Sequence, residues 1–261
     1  MTQNKPGCIW DDYRKEDFLY ADTRLFPRRV TAALGIVRRF LEEAENPYIA
    51  VSGGKDSVCL LHLIQRQAGR LLPVMHHDSG VEWPGTETVL DRLRNMGLIE
   101  RLIVVRPPVD ALTVKREQLS GKISAKSKDK VLLFDPINRA VKEHGFDGAA
   151  LGLRKEEGWG RLMHRIKHGP LYRCKDGMLK CNPLMDWSWQ DVFAYIAVNR
   201  LPLHPIYSAP PMHLGHRGRI RLSWWASTDH WRYGQVAWVK MNFPEIWERM
   251  RESLPGVEGL T

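Results

Sequence analysis

The sequence predicts an α/β protein: a doubly wound, mostly parallel sheet with helices on both faces, followed by an irregular, basic, tryptophan-rich C-terminal extension. Three observations carry this expectation. Short apolar runs alternate with stretches of helical periodicity from residue 47 to residue 151. A Gly-rich turn joins the first run to the first helix. The composition, 43% hydrophobic and 26% charged over 261 residues, is that of a compact globular chain able to bury a sizeable core. The expected organisation is a helical segment over 1–46, a main domain over 47–207 and the extension over 208–261, packed on the main domain.

The elements follow in order. Residues 47–51 read as a buried strand, and the helix after the glycines places Val58, Leu60, Leu61 and Ile64 on one side. A second strand over 71–76 ends at His77-Asp78-Ser79-Gly80, and residues 86–96 have helical spacing with Gly97 as the stop. A third strand is expected over 101–105 and a fourth over 148–151, with helices over 110–119 and 137–144 between them. In such sheets ligands gather at the carboxyl ends of the strands, where the Ser52–Ser57 turn, Asp78 and residues 152–154 would all fall. The lysine-rich stretch 121–130 reads as a mobile loop, solvated by default and otherwise a lid over phosphates. Residues 183–200 contain an aromatic-rich helix, with Asp186 and Trp187 expected to fix its start and core.

The formal charge of +9 points to an anionic partner, and nucleotides, phosphates, sulfated molecules and nucleic acid all meet that description. No stretch is long enough to span a bilayer and residues 1–17 lack a signal-peptide core, so a cytoplasmic protein without a membrane partner is expected. Four cysteines, Cys8, Cys59, Cys174 and Cys181, are too few and too scattered for a disulfide scaffold. Cys174 and Cys181 flank the turn signal Asp176-Gly177, which predicts a β-hairpin in which the two cysteines are offset. With His164 and His168 they make a four-member set, but the spacing matches no strong zinc pattern and no metal site is assigned.

Chemistry concentrates in Ser52-Gly53-Gly54-Lys55-Asp56-Ser57. Two glycines after a buried strand let the backbone turn sharply and present amide N–H groups to an anion. The helix behind them adds its positive end, Ser52 and Ser57 supply hydroxyls, and Lys55 neutralises charge. Asp56 either caps the helix or approaches a metal held by the phosphates. It stands where the Gly-x-x-x-x-Gly-Lys-Ser/Thr loop needs a hydroxyl, which disfavours kinase or GTPase chemistry. Arg154, Lys155 and Arg161 are suited to clamp a tetrahedral oxyanion. The stretch 213–221, with Arg217, Arg219 and Arg221 followed by Trp224 and Trp225, combines phosphate-binding charge with stacking surfaces. His204, between two prolines, is equally a ligand contact or a positioned structural histidine.

These residues resemble a known family. The Ser52–Ser57 loop resembles the pyrophosphate loop of the adenine-nucleotide alpha hydrolases, and three later segments are similar to the phosphoadenosine phosphosulfate (PAPS) reductase-like branch. They are Asp78-Ser79-Gly80-Val81-Glu82-Trp83-Pro84, Gly152-Leu153-Arg154-Lys155-Glu156-Glu157 with Arg161, and the run from Pro183 to Leu201-Pro202-Leu203-His204-Pro205-Ile206-Tyr207. The resemblance implies a Rossmann-like sheet over 47–207 in which Ser52, Gly53, Gly54, Lys55, Asp56, Ser57 and Gly152 bind an adenine nucleotide. It places Asp78 near that nucleotide or its magnesium and makes Lys55, Asp78, Arg154 and Arg161 the candidate catalytic groups.

Some members of that family cleave ATP between its α- and β-phosphates and adenylate an acceptor, while others reduce sulfonucleotides with a C-terminal cysteine. This chain has no cysteine after Cys181, and Leu214-Gly215-His216-Arg217 stands where several relatives continue into cysteine-bearing segments. ATP cleavage for sulfur transfer to an acceptor is therefore the leading expectation, with ATP and magnesium as cofactors. The alternatives are a sulfonucleotide reductase, or a nucleic-acid-binding subunit working with a sulfur donor such as a cysteine desulfurase. A homo-oligomer is an open option.

Overall fold

A computed structural model describes residues 11–210, 215–222, 234, 236–254 and 256–260. Cys8, His213, Leu214, Trp224 and Trp225 lie outside the described residues. The described chain forms two compact units: Met1–His76 with Gly85–Ile103 and His144–Ser208, and His77–Pro84 with Val104–Glu143 and Ala209–Thr261.

The sheet contains β1 (Pro47–Ala50), β2 (Val74–His77), β3 (Leu102–Val105), β4 (Gly148–Ala150), β5 (Leu171–Arg173) and β6 (Leu179–Cys181), in the order β3-β2-β1-β4-β6-β5. β1 runs parallel to β2 and to β4, and β4 parallel to β6; only the β5–β6 hairpin is antiparallel among the pairings described. The direction of winding reverses between β1 and β4, so β1 stands at the topological switch point of a doubly wound sheet. The Ser52 loop follows directly from it.

In the first unit, the helices α1 (Lys15–Ala21) and α2 (Leu25–Glu43) precede the sheet. α2 buries Phe26, Ala33, Val37 and Phe40, a spacing that puts all four on one stripe. α3 (Lys55–Gln65) and α9 (Trp189–Val198) are buried nearly all round, as expected of helices at the centre of a core. α4 (Thr86–Asn95) ends where expected: Gly97 takes φ +72° and the Leu98 N–H bonds the Leu93 carbonyl at 3.0 Å, a left-handed stop that favours glycine. The hairpin is confirmed in its register, with Cys181 opposite Leu171 and Cys174 beyond the last pair. Among the described residues no helix is long and apolar enough to cross a membrane.

Two expectations need correction. Residues 121–130 are not a loop throughout: α6 (Ala125–Asp129) begins at Ser124, whose Oγ accepts from the Ser127 N–H at 3.0 Å, and continues through a π-helical turn (Lys130–Phe134) into α7 (Asp135–His144). Lysine is a good helix former, and one serine cap suffices to start the run. Asp186 does not start α9; Ser188 does, accepting from Asp191 N–H at 3.2 Å while Asp191 Oδ2 accepts from the Ser188 N–H at 2.7 Å. Asp186 instead accepts from Lys155 Nζ at 2.8 Å and from Arg165 through two nitrogens, and these cations outweigh its burial and hold its carboxyl below the usual range.

His204 resolves as a structural group. It is buried, its Nδ1 accepts from the Ile206 N–H at 3.1 Å, and its Nε2 lies 3.2 Å from Thr86 Oγ1, so the neutral ring protonated on Nε2 satisfies both contacts. Burial lowers its pKa to about 3, and lowers that of His62, 3.0 Å from the Tyr195 hydroxyl, to about 4. In the unfolded chain both rings take up a proton near pH 6.5. The unfolded state therefore binds more protons between that pH and the folded values, and this stability is complete above pH 6.5 and lost as pH falls. The expected slope is about 1.4 kcal/mol per histidine per pH unit. Urea unfolding at pH 7 and pH 5 should show it, and the slope should flatten in His204→Gln and His62→Gln; equal midpoints at both pH values would contradict the assignment.

Candidate nucleotide-binding site

The loop is held by its own hydroxyls. Ser57 Oγ donates to the Gly54 carbonyl at 2.9 Å and accepts from the Ser52 N–H at 3.1 Å, while Ser52 Oγ lies 3.3 Å from it. The two serines therefore shape the loop from inside. Gly53 takes φ +77°, where an L side chain would be strained, and Gly54 is the N-cap of α3. The N-cap residue has no side chain to cap that helix, and the Tyr207 hydroxyl takes only its first amide, that of Lys55. The remaining first-turn amides and the positive end suit an anion, at the switch point of the sheet.

The charges around the loop form one network. Asp56 is flanked by two buried cations: Lys55 Nζ donates to Oδ2 at 2.8 Å and Arg154 Nε to Oδ1 at 2.6 Å. Burial alone would raise the Asp56 pKa, but the Lys55 and Arg154 charges prevail and hold it below the ordinary carboxylate value. Arg154 also donates to Glu156, its backbone N–H bonds Glu157 Oε2 at 3.0 Å, and Glu157 pairs with Arg161. Lys55, Asp56, Arg154 and Arg161 are thus linked in one chain of contacts.

Asp56 therefore does not cap α3. A carboxylate already shared by two cations is also a poor magnesium ligand, so the donor set here fits phosphate and not a directly bound metal. Among the described residues no three His, Cys, Asp or Glu come together to hold a metal. His164 and His168 stack on Tyr172 instead, with ring centroids 4.8 and 5.3 Å away.

Gly152 has a clear physical reason. A Cβ there would lie 3.1 Å from the Asp56 carbonyl carbon and oxygen and 3.2 Å from Ser57 N, so a larger residue would push on the backbone where the chain after β4 approaches the start of α3. Tyr207 is the member of the site whose role sequence reasoning missed. Its buried hydroxyl accepts from the Lys55 N–H at 3.1 Å, and its ring lies 5.3 Å from Lys55 Nζ. Burial raises its phenol far above the ordinary value, so it stays protonated. The run 201–207 carried only a resemblance, and no periodicity or spacing singled out Tyr207.

Asp78 belongs to the second unit. It follows β2, its Oδ1 accepts from the Gly80 N–H at 2.9 Å and its Oδ2 from Arg106 Nε at 2.8 Å. In the same unit Arg217 is buried and Arg219 exposed, so the arginine stretch does not present a uniform phosphate-binding face. Of the described cysteines, Cys59 and Cys181 are buried thiols whose pKa values burial raises well above normal, the opposite of an activated nucleophile.

The chain is 28% identical over 202 residues to sulfate adenylyltransferase subunit 2 of Salmonella paratyphi A, a match covering 69% of this chain and 66%, just under two thirds, of that protein. Its fold is similar to that of a PAPS reductase from Candida auris in a phosphate complex, with TM-score 0.51 and 18% identity over 70% of this chain and 89% of that one. It is also similar to an FMN adenylyltransferase from Candida glabrata in complex with FAD and inorganic pyrophosphate, with TM-score 0.53 and 10% identity over 74% and 66%. A family model for the phosphoadenosine phosphosulfate reductase domain matches residues 46–217. The chain belongs to the phosphoadenosine phosphosulfate reductase domain family.

Proposed function

We propose that this chain cleaves ATP at the α-phosphate, releasing pyrophosphate and transferring the adenylyl group to an acceptor that serves sulfur transfer. The observation that carries the reading is the start of α3 behind Ser52-Gly53-Gly54, where Tyr207 takes only the first amide and Lys55 and Arg154 flank the rest. It is an anion site in which two cations are positioned by Asp56 beside the helix start.

In this reading the α3 amides and Lys55 bind the phosphates that leave as pyrophosphate, and Arg154 stabilises the charge that grows around the α-phosphorus. The acceptor oxygen attacks that phosphorus, its new P–O bond replacing the bond to the β-phosphate oxygen, and the electron pair departs on pyrophosphate. Asp56 positions Lys55 and Arg154, and Glu157 positions Arg161, which backs the acceptor side. Gly152 admits the loop to its place. Magnesium would arrive on the phosphates and lower their charge. The similarity to sulfate adenylyltransferase subunit 2 supports an oxyanion such as sulfate as acceptor.

Sulfonucleotide reduction is the second reading, supported by the family match, but Cys59 and Cys181 are not activated. ATP–pyrophosphate exchange across a panel of oxyanion acceptors tests the proposal. Label from pyrophosphate should enter ATP with at least one acceptor and be lost in Lys55→Ala. No exchange with any acceptor, together with sulfite release from a sulfonucleotide and thioredoxin, would transfer the chain to the second reading.

A further inference from the structure

The short segment before α1 is tied to the run that carries Tyr207. Tyr13 donates its hydroxyl to the Leu201 carbonyl at 2.6 Å, and Asp11 Oδ1 accepts from the Leu203 N–H at 3.0 Å. Leu201 and Leu203 are buried, so neither backbone group can turn to water instead. Asp11 is held in turn from α4, where Arg92 donates to both of its carboxylate oxygens. Two contacts carry the run onward: His204 Nε2 lies 3.2 Å from Thr86 Oγ1 at the start of the same helix, and the Tyr207 N–H bonds the His204 carbonyl at 3.1 Å. Tyr207 then accepts from the Lys55 N–H. The N-terminal segment and the nucleotide loop are thus joined through residues 201–207.

Backbone strain gathers at the same junction. Among the described residues only Asp11, at φ +55°, and Arg200, at φ +52°, take a positive φ without being glycine. Arg200 follows the end of α9 and directly precedes the run, in a place where glycine is the usual residue. A left-handed backbone is unfavourable for an L residue and persists where the surroundings over-determine it. At Asp11 those surroundings are Arg92 and the Leu203 amide. The Arg92 and Asp11 side chains are 36% and 23% exposed, so solvent screens their charges and the buried amide is the larger part of the contact. Burial, with the Asp11 charge adding to it, raises the Tyr13 phenol to about 12, so its hydroxyl stays protonated and keeps donating at neutral pH.

The geometry points to Asp11 and Tyr13 as positioning residues for the nucleotide loop: by fixing Leu201 and Leu203 they set the Tyr207 hydroxyl against the first amide of α3. Through Tyr207 they also fix the ring that lies 5.3 Å from Lys55 Nζ. The consequence for phosphate affinity rests on the reading of the loop as an ATP site. The coupling to α3 does not.

Hydrogen exchange of the intact chain without nucleotide, read by mass spectrometry on the peptide spanning the start of α3, tests the coupling. Exchange there should quicken by about 10-fold in Asp11→Ala and in Tyr207→Phe, while peptides from α7 keep the parent rate. The double variant should be no faster than Tyr207→Phe alone, because both changes release the same restraint. Asp11→Asn keeps an acceptor for the Leu203 N–H and tolerates the left-handed backbone, so it should restore most of the protection. Tyr13→Phe removes one hydroxyl and should give the same pattern in milder form, whether or not Asp11→Ala folds. With ATP, Asp11→Ala should raise KM by about 10-fold and leave kcat nearly unchanged, the mark of lost uniform binding. Parent-like exchange at the start of α3 in both Asp11→Ala and Tyr13→Phe would overturn the inference. So would additive effects in the double variant, or a quickening spread evenly over all peptides, which would make the contact one of global stability. The expected exchange pattern in a chain that binds no ATP would refute the nucleotide reading and leave the coupling standing.

Discussion

Arg154→Met is expected to lower pyrophosphate exchange by about 10²- to 10³-fold, the loss typical of removing one preorganised charge donor from a developing oxyanion. Methionine keeps the length and apolar volume of the arginine stem but cannot donate to Asp56 or Glu156. Asp56 would then rest on Lys55 alone, largely out of water, and the fold should lose on the order of 3 kcal/mol. The two effects separate in the double variant. Asp56→Asn combined with Arg154→Met removes the uncompensated carboxylate, so urea unfolding should show stability partly restored while turnover stays low. If turnover recovered together with stability, Arg154 would be a structural residue only and its assigned role would be wrong.

Gly152→Val is expected to abolish nucleotide binding at a moderate cost in stability. The added Cβ would sit 3.1 Å from the backbone of Asp56, and backbone cannot rotate away as a side-chain tip can. Overpacking of this kind costs about 1–3 kcal/mol, and relief comes by pushing the first turn of α3 off its line. Those amides are the proposed phosphate cradle, so ATP affinity measured by calorimetry should fall by at least 10-fold in Gly152→Ala and beyond detection in Gly152→Val. Gly160→Ala is the matched control, because nothing lies within 4 Å of the Cβ it adds. Its ATP affinity should equal that of the parent chain; a comparable loss in both would mean that Gly152 has no special relation to the loop.

The parts of the molecule legible in the sequence are those fixed by local rules. The β1 to α3 turn, the Gly97 stop and the Asp176-Gly177 hairpin each depend on a glycine conformation or a short periodicity that a few neighbours reveal. Lys55 and Arg154 stood out for the same reason or by resemblance, whereas the loop hydroxyls, expected to serve an anion, bond within the loop instead. What was not legible depends on pairing across long stretches of chain. Nothing local to residues 179–181 says that β6 inserts beside β4 and leaves β5 at the edge.

The meaning of several charged and aromatic residues was hidden in the same way. Asp56 read as a cap or metal ligand because its two cations come from positions 55 and 154, the second nearly a hundred residues away. Asp186 read as a helix start because Arg165 and Lys155 reach it only in the folded chain. Tyr207 gave no signal beyond the resemblance of its run, since a tyrosine after two prolines and a histidine says nothing about an amide at position 55. The helix at 125–129 was missed for a different reason: lysine-rich composition was weighed above the capping serine at 124.

The central claim is that the Ser52–Ser57 loop and Arg154 direct cleavage to the α-phosphate. Phosphorus NMR of ATP turned over by the intact chain with an oxyanion acceptor tests it most directly. The account predicts resonances of pyrophosphate and an adenylylated product, both absent in Lys55→Ala. Resonances of ADP and orthophosphate would mean attack at the γ-phosphate and would contradict it.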